Sequence, residues 1–258
     1  MDKDDVGARI DELGWAVFPA LLPQSLVASI NLELAAAIDA CGALRAKFGV
    51  EEANDGIAHH VLGMGGVFLE FVDQLPLQDR LEHCLGGKII VNSFGGFTHR
   101  PQGSTYAGAI HRDVRSHFGA STMMMNMLVM LDGFTRDNGA TYLLSGSHRL
   151  VDRPDEKAFY AEAVRAVGPA GSVLLFNSQL WHASGRNTSG TERRALTLTF
   201  TRPFFKQQMD YPRLVGYDKL ASLTENQRQL VGYNSRMPAS YEEWYQPPDK
   251  RMYKPGQG

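Results

Sequence analysis

Hydrophobic positions between Pro23 and residue 41 recur every three to four residues, the spacing of amphipathic helices. The segment ARIDELG predicts a short helix that stops at Gly14, followed by a strand around Trp15–Phe18. Pro23 suits the first turn of a helix, and residues 24–41 then carry apolar side chains at helical spacing, which predicts a long amphipathic helix. Residues 43–70 have weak periodicity and several glycines, so we expect loops and short elements there.

From about residue 75 the pattern changes to short apolar runs separated by turn residues. LQDRLEHCL predicts a short helix, and residues 155–166 predict another. The strand-like runs are GKIIVNSFGG, TYAGAIHRD, STMMMNMLVML, ATYLLSG, GSVLLFN and RALTLTFTRP. Many strands with few intervening helices argue against alternating βαβ units. The pattern therefore predicts a mainly β fold, an antiparallel sandwich or barrel with flanking α-helices.

The remainder of the chain, from residue 204, is rich in tyrosine, proline and arginine. Its aromatic residues Tyr241, Trp244 and Tyr245 suggest that this tail packs on the body of the protein. The sequence has no internal repeat and no low-complexity linker. We therefore predict one domain over residues 1–258, with N-terminal helices in 1–85, a β core over about 86–203, and a packed tail over 204–258.

Composition narrows the class of protein without defining a function. The chain is 43% hydrophobic and 21% charged, as expected for a globular protein with a sizeable core. A net charge of −2 with scattered basic residues argues against nucleic-acid binding. Cys41 and Cys84 are read as free thiols in a reducing compartment. The acidic N-terminal segment has no apolar core of a signal peptide, and no run approaches 18 apolar residues. We therefore expect a cytoplasmic protein without a membrane span. We also expect it to be a monomer or a homodimer.

The stretch AIHRDVRSHFG contains the first candidate for chemistry. A protein-kinase catalytic loop would need an asparagine five residues after Asp113, where this chain has Phe118, and no DFG occurs after it. A metal site is more consistent with the spacing. On extended backbone His111 and Asp113 would project to the same side, whereas in a helix they would diverge by roughly 200°.

A third ligand would come from one of the other histidines, although a lone histidine is more often structural. His182 is favoured because a turn and then a strand with two arginines come directly after it. Strand parity places Arg193 with Ala195, Thr197 and Thr199 on an inward face, and Arg194 with the outer apolar face. A buried guanidinium needs an anion, which a dicarboxylate can supply. Two histidines and one carboxylate form the usual ligand set of non-haem Fe(II) oxygenases, and zinc fits less well.

Three motifs in this order, HRD at 111–113, NGATYLLSGSHR at 138–149 and HASGRNTSGTERRALTLTF at 182–200, resemble the phytanoyl-CoA dioxygenase-like family of Fe(II)/2-oxoglutarate-dependent oxygenases. GWAVFPALLP and SRMPASYEEWY extend the resemblance over most of the chain. It implies a double-stranded β-helix (jelly-roll) core. The residues it assigns are His111, Asp113 and His182 as iron ligands, Arg193 and Ser184 for the distal carboxylate of 2-oxoglutarate, and Asn126 as a further co-substrate contact.

The resemblance also implies the reaction. Fe(II), 2-oxoglutarate and O2 would oxidise a small-molecule substrate, most often by hydroxylation, with succinate and CO2 as co-products. The presence of Asp113 disfavours halogenation, because related halogenases lack this carboxylate. Two alternatives remain at this point: a zinc or manganese jelly-roll hydrolase or isomerase that does not use 2-oxoglutarate, and a non-catalytic small-molecule-binding barrel.

Several conspicuous residues are read as structural. The methionine cluster at 123–130 is expected to fill the core, and Gly139 and Gly146 are expected at turns. His148 is expected to hydrogen-bond the backbone, and Arg112 is expected to point away from the metal. The identity of the substrate does not follow from the sequence.

Overall fold

The computed structural model describes residues 3–50, 56–101 and 108–258. Within these ranges, four helices precede the first long strand and four come after it. The helices are α1 (Lys3–Leu13), α2 (Gln24–Phe48), α3 (Gly66–Asp73), α4 (Gln78–Leu85), α5 (Glu156–Glu162), α6 (Tyr211–Val215), α7 (Glu225–Val231) and α8 (Tyr241–Trp244). The strands are β1 (Trp15–Phe18), β2 (Ile57–Ala58), β3 (Ile90–His99), β4 (Met124–Met130), β5 (Tyr142–Leu143), β6 (Val164–Arg165), β7 (Val173–Asn177), β8 (His182–Ala183) and β9 (Arg193–Thr201).

Helix α2 is longer than the sequence pattern predicts. It buries Val27, Ile30, Leu34 and Ala37, the face expected from the spacing, but continues to Phe48. Gly49 ends it with φ 63°, a left-handed conformation that suits glycine at a helix C-terminus. Among the described residues, α2 is long and apolar enough to cross a membrane by length and composition, which is weak evidence for a span. Core helices of soluble proteins meet the same criterion.

The principal sheet has six strands in the order β1-β7-β4-β9-β3-β2, with every neighbouring pair antiparallel. A smaller sheet has the order β6-β5-β8. The strand runs predicted around β3, β4, β7 and β9 are confirmed, while ATYLLSG supplies only the two residues of β5. The mainly antiparallel architecture with flanking helices confirms the predicted fold class.

The two faces of the large sheet bury different sets of residues, as strand alternation requires. One face packs with the N-terminal helices and α7 in the largest hydrophobic cluster, and the other packs towards the small sheet. On β9, Leu196, Leu198 and Phe200 belong to the cluster beneath the helices, whereas Ala195 faces the small sheet. The methionines of β4 are mostly buried, which confirms their expected role in the core.

The structure contradicts two expectations. In the described part of TYAGAIHRD, residues 108–113, only His111 pairs, in an isolated bridge, so this segment is not a strand; residues 105–107 lie outside the described residues. Tyr241, Trp244 and Tyr245 are 80%, 63% and 78% exposed, so they do not pack on the body. They lie in and beside a four-residue helix, too short to cover a core face, whereas Tyr211 and Leu230, earlier in the tail, are fully buried.

Candidate metal centre

His111, Asp113 and His182 converge at one point between the two sheets. Each offers one ligand atom, and these atoms lie within 4.8 Å of one another. The Nε2 atom of His111 is 3.6 Å from Oδ1 of Asp113, and Nε2 of His182 is 3.8 Å from Oδ2. The three residues predicted from sequence are therefore close enough to bind a single ion.

Backbone pairing brings the two histidines together. His111 and His182 form an antiparallel bridge in which each N–H donates to the other carbonyl at 2.9 Å. Side chains of such a directly opposed pair project to the same side. Their rings are accordingly 4.2 Å apart, centroid to centroid. The bridge gives His111 its orientation although the surrounding segment is a loop.

Both imidazoles are held in the tautomer that a metal site requires. The Nδ1–H of His111 donates to the carbonyl of Ala109 at 2.7 Å, and that of His182 donates to Leu180 at 2.9 Å. These bonds fix the rings and leave each Nε2 lone pair for a metal. Burial lowers the pKa of His182, although Asp113 opposes the shift, so its ring is neutral.

Asp113 is held by a chain of two side chains. Nδ2 of Asn126, on β4, donates to Oδ2 of Asp113, and Ser178 donates its hydroxyl to Oδ1 of Asn126. Asn126 is thus bonded to the carboxylate, while its predicted contact with a co-substrate stays a prediction. Sequence reasoning missed Ser178, which lies just after β7 and carries no motif of its own. Asn126 was predicted from the family resemblance, by its position on the strand after HRD.

Arg193, the first residue of β9, is buried, with 1% of its surface exposed. Its Nε donates to the carbonyl of Asn138 at 3.0 Å, and its Nη2 donates to Nδ1 of His99 at 3.0 Å. Nη1 is buried without a hydrogen-bond partner. The guanidinium lies 4.0 Å from the ring centroid of Phe134, and burial lowers the pKa of Arg193 to about 9. Nη1 is a buried donor that an acidic ligand would satisfy.

A cavity of about 330 Å³ opens beside the three converging residues. Its wall includes Ser184, Thr197 and Thr199, and it reaches Phe97, whose ring lies 5.4 Å from the Arg193 guanidinium. The predicted parity of β9 agrees with its packing, because Thr197 and Thr199 line the cavity while Leu196 and Phe200 lie in the cluster beneath the helices. Arg194, by contrast, is partly exposed and forms a bidentate pair with Asp132.

This donor set fits ferrous iron. Two imidazole nitrogens and one carboxylate oxygen form a facial triad and leave coordination positions open for ligands. Within the described ranges, the cluster has three members and no fourth protein ligand closes it. An antiparallel β core with such an open site is typical of mononuclear non-haem iron dioxygenases.

The match to a family model agrees with this class. The phytanoyl-CoA dioxygenase (PhyH) model matches residues 10–195, more than half of the chain. The chain therefore belongs to the phytanoyl-CoA dioxygenase family. This membership confirms the resemblance found in the sequence motifs.

Individual proteins are similar to this chain in sequence or in fold. An uncharacterised protein of Mycobacterium tuberculosis is 39% identical over 190 residues, which cover 74% of this chain and 68% of the relative. An iron/alpha-ketoglutarate-dependent dioxygenase of Penicillium thymicola is 34% identical over 143 residues, covering 50% of this chain and 44% of that protein. Among solved structures, the apo form of the non-haem monooxygenase ThoJ has a TM-score of 0.62 at 21% identity, covering 78% of each chain. That likeness shows the fold alone.

Proposed function

We propose that this protein is an Fe(II)/2-oxoglutarate-dependent dioxygenase that hydroxylates a small-molecule substrate. The substrate and 2-oxoglutarate would each take one atom of O2, and the products would be the alcohol, succinate and CO2. The observation that carries the proposal is the combination of the open His–Asp–His cluster with a buried arginine whose Nη1 has no partner. The Penicillium thymicola relative, an iron/alpha-ketoglutarate-dependent dioxygenase, supports the choice of co-substrate.

Different residues of the chain would bind the metal, bind the co-substrate and position the substrate. His111, Asp113 and His182 would hold Fe(II), which supplies the oxidising chemistry once O2 and both substrates are bound. Arg193 would bind the distal carboxylate of 2-oxoglutarate through Nη1, with Ser184 donating a further hydrogen bond. The cavity walls would orient the substrate C–H bond and exclude water.

The competing reading is a zinc or manganese hydrolase or isomerase on the same fold. Such an enzyme has no need for an anion-binding guanidinium at the end of the site. Burying an arginine with an unpaired donor costs stability, and a carboxylate ligand offsets that cost. The buried Arg193 therefore favours a dicarboxylate co-substrate over the hydrolase or isomerase.

The first test removes the carboxylate of the metal cluster. We expect Asp113→Ala to lose bound iron and to release no succinate from 2-oxoglutarate, because two imidazoles alone hold Fe(II) weakly. The measurements are metal content and succinate formation after anaerobic reconstitution with Fe(II). Asp152→Ala, at an exposed acidic position outside the site, is the matched control. Full iron content and turnover in Asp113→Ala would refute the assignment.

The second test removes Arg193, the residue proposed to bind the distal carboxylate of 2-oxoglutarate. We expect Arg193→Ala to raise the half-saturating concentration of 2-oxoglutarate by roughly two to three orders of magnitude, as for a desolvated charge pair that loses one partner. Arg194→Ala is the matched control, because the neighbouring guanidinium is bonded to Asp132 instead. Initial rates of succinate release against 2-oxoglutarate concentration give the comparison. An unchanged co-substrate dependence would show that Arg193 does not bind that carboxylate.

A further inference from the structure

His60 lines the same cavity as the metal cluster but has no part in it. It lies between β2 and a 3₁₀ turn at Val61–Met64, with φ 55° and ψ 40°. This left-handed conformation is uncommon for a residue with a Cβ, and such strain persists where surrounding structure holds it. Pairing of β2 with β3, at Ile57 opposite Phe97, fixes the chain immediately before it.

A buried tyrosine fixes the orientation of the His60 ring. The hydroxyl oxygen of Tyr211, on α6, lies 3.0 Å from Nδ1 of His60 and accepts the N–H of Phe94 at 2.8 Å. Because the phenol O–H is fully buried and Nδ1 of His60 is the one acceptor within its reach among the described residues, the phenol hydrogen is directed to Nδ1. Tyr211 has no exposed surface, and burial raises the pKa of its phenol, which therefore stays protonated.

The hydrogen bond from Tyr211 places the proton of His60 on its other ring nitrogen. A neutral imidazole carries one N–H, and Nδ1 is occupied as an acceptor. Burial and the neighbouring His59 both lower the pKa of His60, so the ring is neutral at pH 7. His60 therefore presents an Nε2–H donor at a partly exposed position on the cavity wall.

The other residues that line the cavity indicate the kind of ligand that would accept a hydrogen bond from His60. Much of the wall is apolar, with contributions from Phe97, Leu128 and Phe176. Two of its hydroxyls, on Ser93 and Thr199, bond each other at 2.7 Å. Apart from the metal cluster itself, the described lining residues include no carboxylate, no lysine and no arginine. Such a wall suits an uncharged, mostly apolar ligand with few polar groups.

We propose that His60 determines specificity by donating a hydrogen bond from Nε2 to an oxygen acceptor on a neutral, mostly apolar substrate, and that Tyr211 is its positioning residue. This rests on the proposed function in so far as that molecule is the one oxidised at the metal. Two contacts fix this donor in place. The β2–β3 pairing restrains the backbone of His60, and the hydrogen bond from Tyr211 restrains its ring.

The test uses two probes with one carbon skeleton, 2-adamantanone and adamantane. Their affinities are measured with the full-length protein loaded with Zn(II) and 2-oxoglutarate. We expect His60→Leu to weaken ketone binding about tenfold relative to the hydrocarbon, the loss of one hydrogen bond. His60→Gln, which restores an Nε2 donor, should keep the relative affinity within about threefold of wild type. An unchanged ratio in His60→Leu, or no binding of either probe by the wild-type protein, overturns the proposal.

A second measurement does not depend on any variant at His60. In protein labelled with ¹⁵N-histidine, the His60 ring should show the Nε2–H tautomer, with resonances that shift on addition of 2-adamantanone. Tyr211→Phe should reduce that tautomer preference. His59→Leu is the comparison: if it abolishes the ketone response and His60→Leu does not, the proposal is wrong. Absence of 2-oxoglutarate turnover by the Fe(II) enzyme, with ketone recognition intact, would instead refute the proposed function.

Discussion

At the scale of single residues, Asn126 links the metal cluster to the large sheet. Its Oδ1 accepts from Ser178, which fixes the amide so that Nδ2 faces Asp113. A hydrogen bond from a neutral amide stabilises the ionised carboxylate, which is the form that binds a metal. Partners of this kind orient the ligands themselves and strengthen metal binding.

Removing the Asn126 amide should therefore weaken iron binding without removing any ligand. We expect Asn126→Ala to reduce Fe(II) affinity about 10- to 100-fold, as measured by anaerobic titration. Asn92→Ala is the matched control, since Asn92 is also a buried asparagine on a strand but donates to the carbonyl of Lys206. Equal Fe(II) affinity in the two variants would mean that the Asn126 bond has no effect on the metal.

Sequence reasoning found the residues that carry a motif and missed those that act through a distant contact. His111, Asp113 and His182 could be predicted, because spacing and residue type are enough to suggest a ligand set. Tyr211 could not, since its partner His60 lies 151 positions earlier in the chain. Such a pair leaves no periodicity in the sequence, and only tertiary packing brings it together.

At the scale of elements, the segment around His111 shows how a wrong element can yield a correct geometry. The alternation of TYAGAIHRD predicted a strand, but the described part is a loop with one bridged residue. That single antiparallel pair gives His111 the extended geometry that a strand would have supplied. Local propensity cannot show which distant segment completes such a pair, because β pairing depends on tertiary context.

The junction of α1 and the β5 region depends on His148. Nε2 of His148 donates to the carbonyl of Asp11 at 3.2 Å, as expected for a structural histidine, and its Nδ1 is buried without a partner. Gly14 lies against the ring with φ +83°, and a Cβ there would lie 2.5 Å from Nδ1. The ring is thus closely enclosed, and burial lowers the pKa of His148, with a smaller contribution from Arg149.

Acid should therefore destabilise the fold through this ring. The unfolded chain takes up a proton near pH 6.5, whereas folded His148 does so only at lower pH, so the free energy of unfolding falls as pH drops from 6.5 towards that lowered pKa. We expect His148→Gln, which can still donate to Asp11, to lose less stability than wild type between pH 7 and pH 5. Urea unfolding at both pH values measures this. Parallel losses in the two proteins would contradict the prediction.

At the scale of the whole molecule, the metal cluster connects the small sheet to the large sheet. His182 lies on β8 of the small sheet, and Asp113 is held by Asn126 from β4 of the large sheet. A bound ion would therefore tie the two sheets together. The single-domain organisation, the cytoplasmic location and the monomeric or homodimeric state stay predictions.

Ligand binding between the sheets should raise the thermal stability of the whole fold. At 100 times the dissociation constant, a ligand that binds only the folded state adds about 2.7 kcal/mol. For a chain of this size that corresponds to a rise in Tm of roughly 5–10 °C. We expect this rise on adding Fe(II) and 2-oxoglutarate under anaerobic conditions, as measured by calorimetry. Asp113→Ala should show no comparable rise, and an equal rise in that variant would place the stabilising ion elsewhere.

The backbone bridge between His111 and His182 also bears on how the enzyme acquires its iron. Both N–H groups of the pair are already bonded, so the two imidazoles stand in register before any ion arrives. Removing the metal with a chelator should accordingly leave a folded apoprotein that can bind metal again. Domains whose folding depends on their metal unfold under the same treatment. Several divalent ions could bind at such a preformed site. The supply of metals in the cell, more than the folding of the chain, would then decide which ion occupies it.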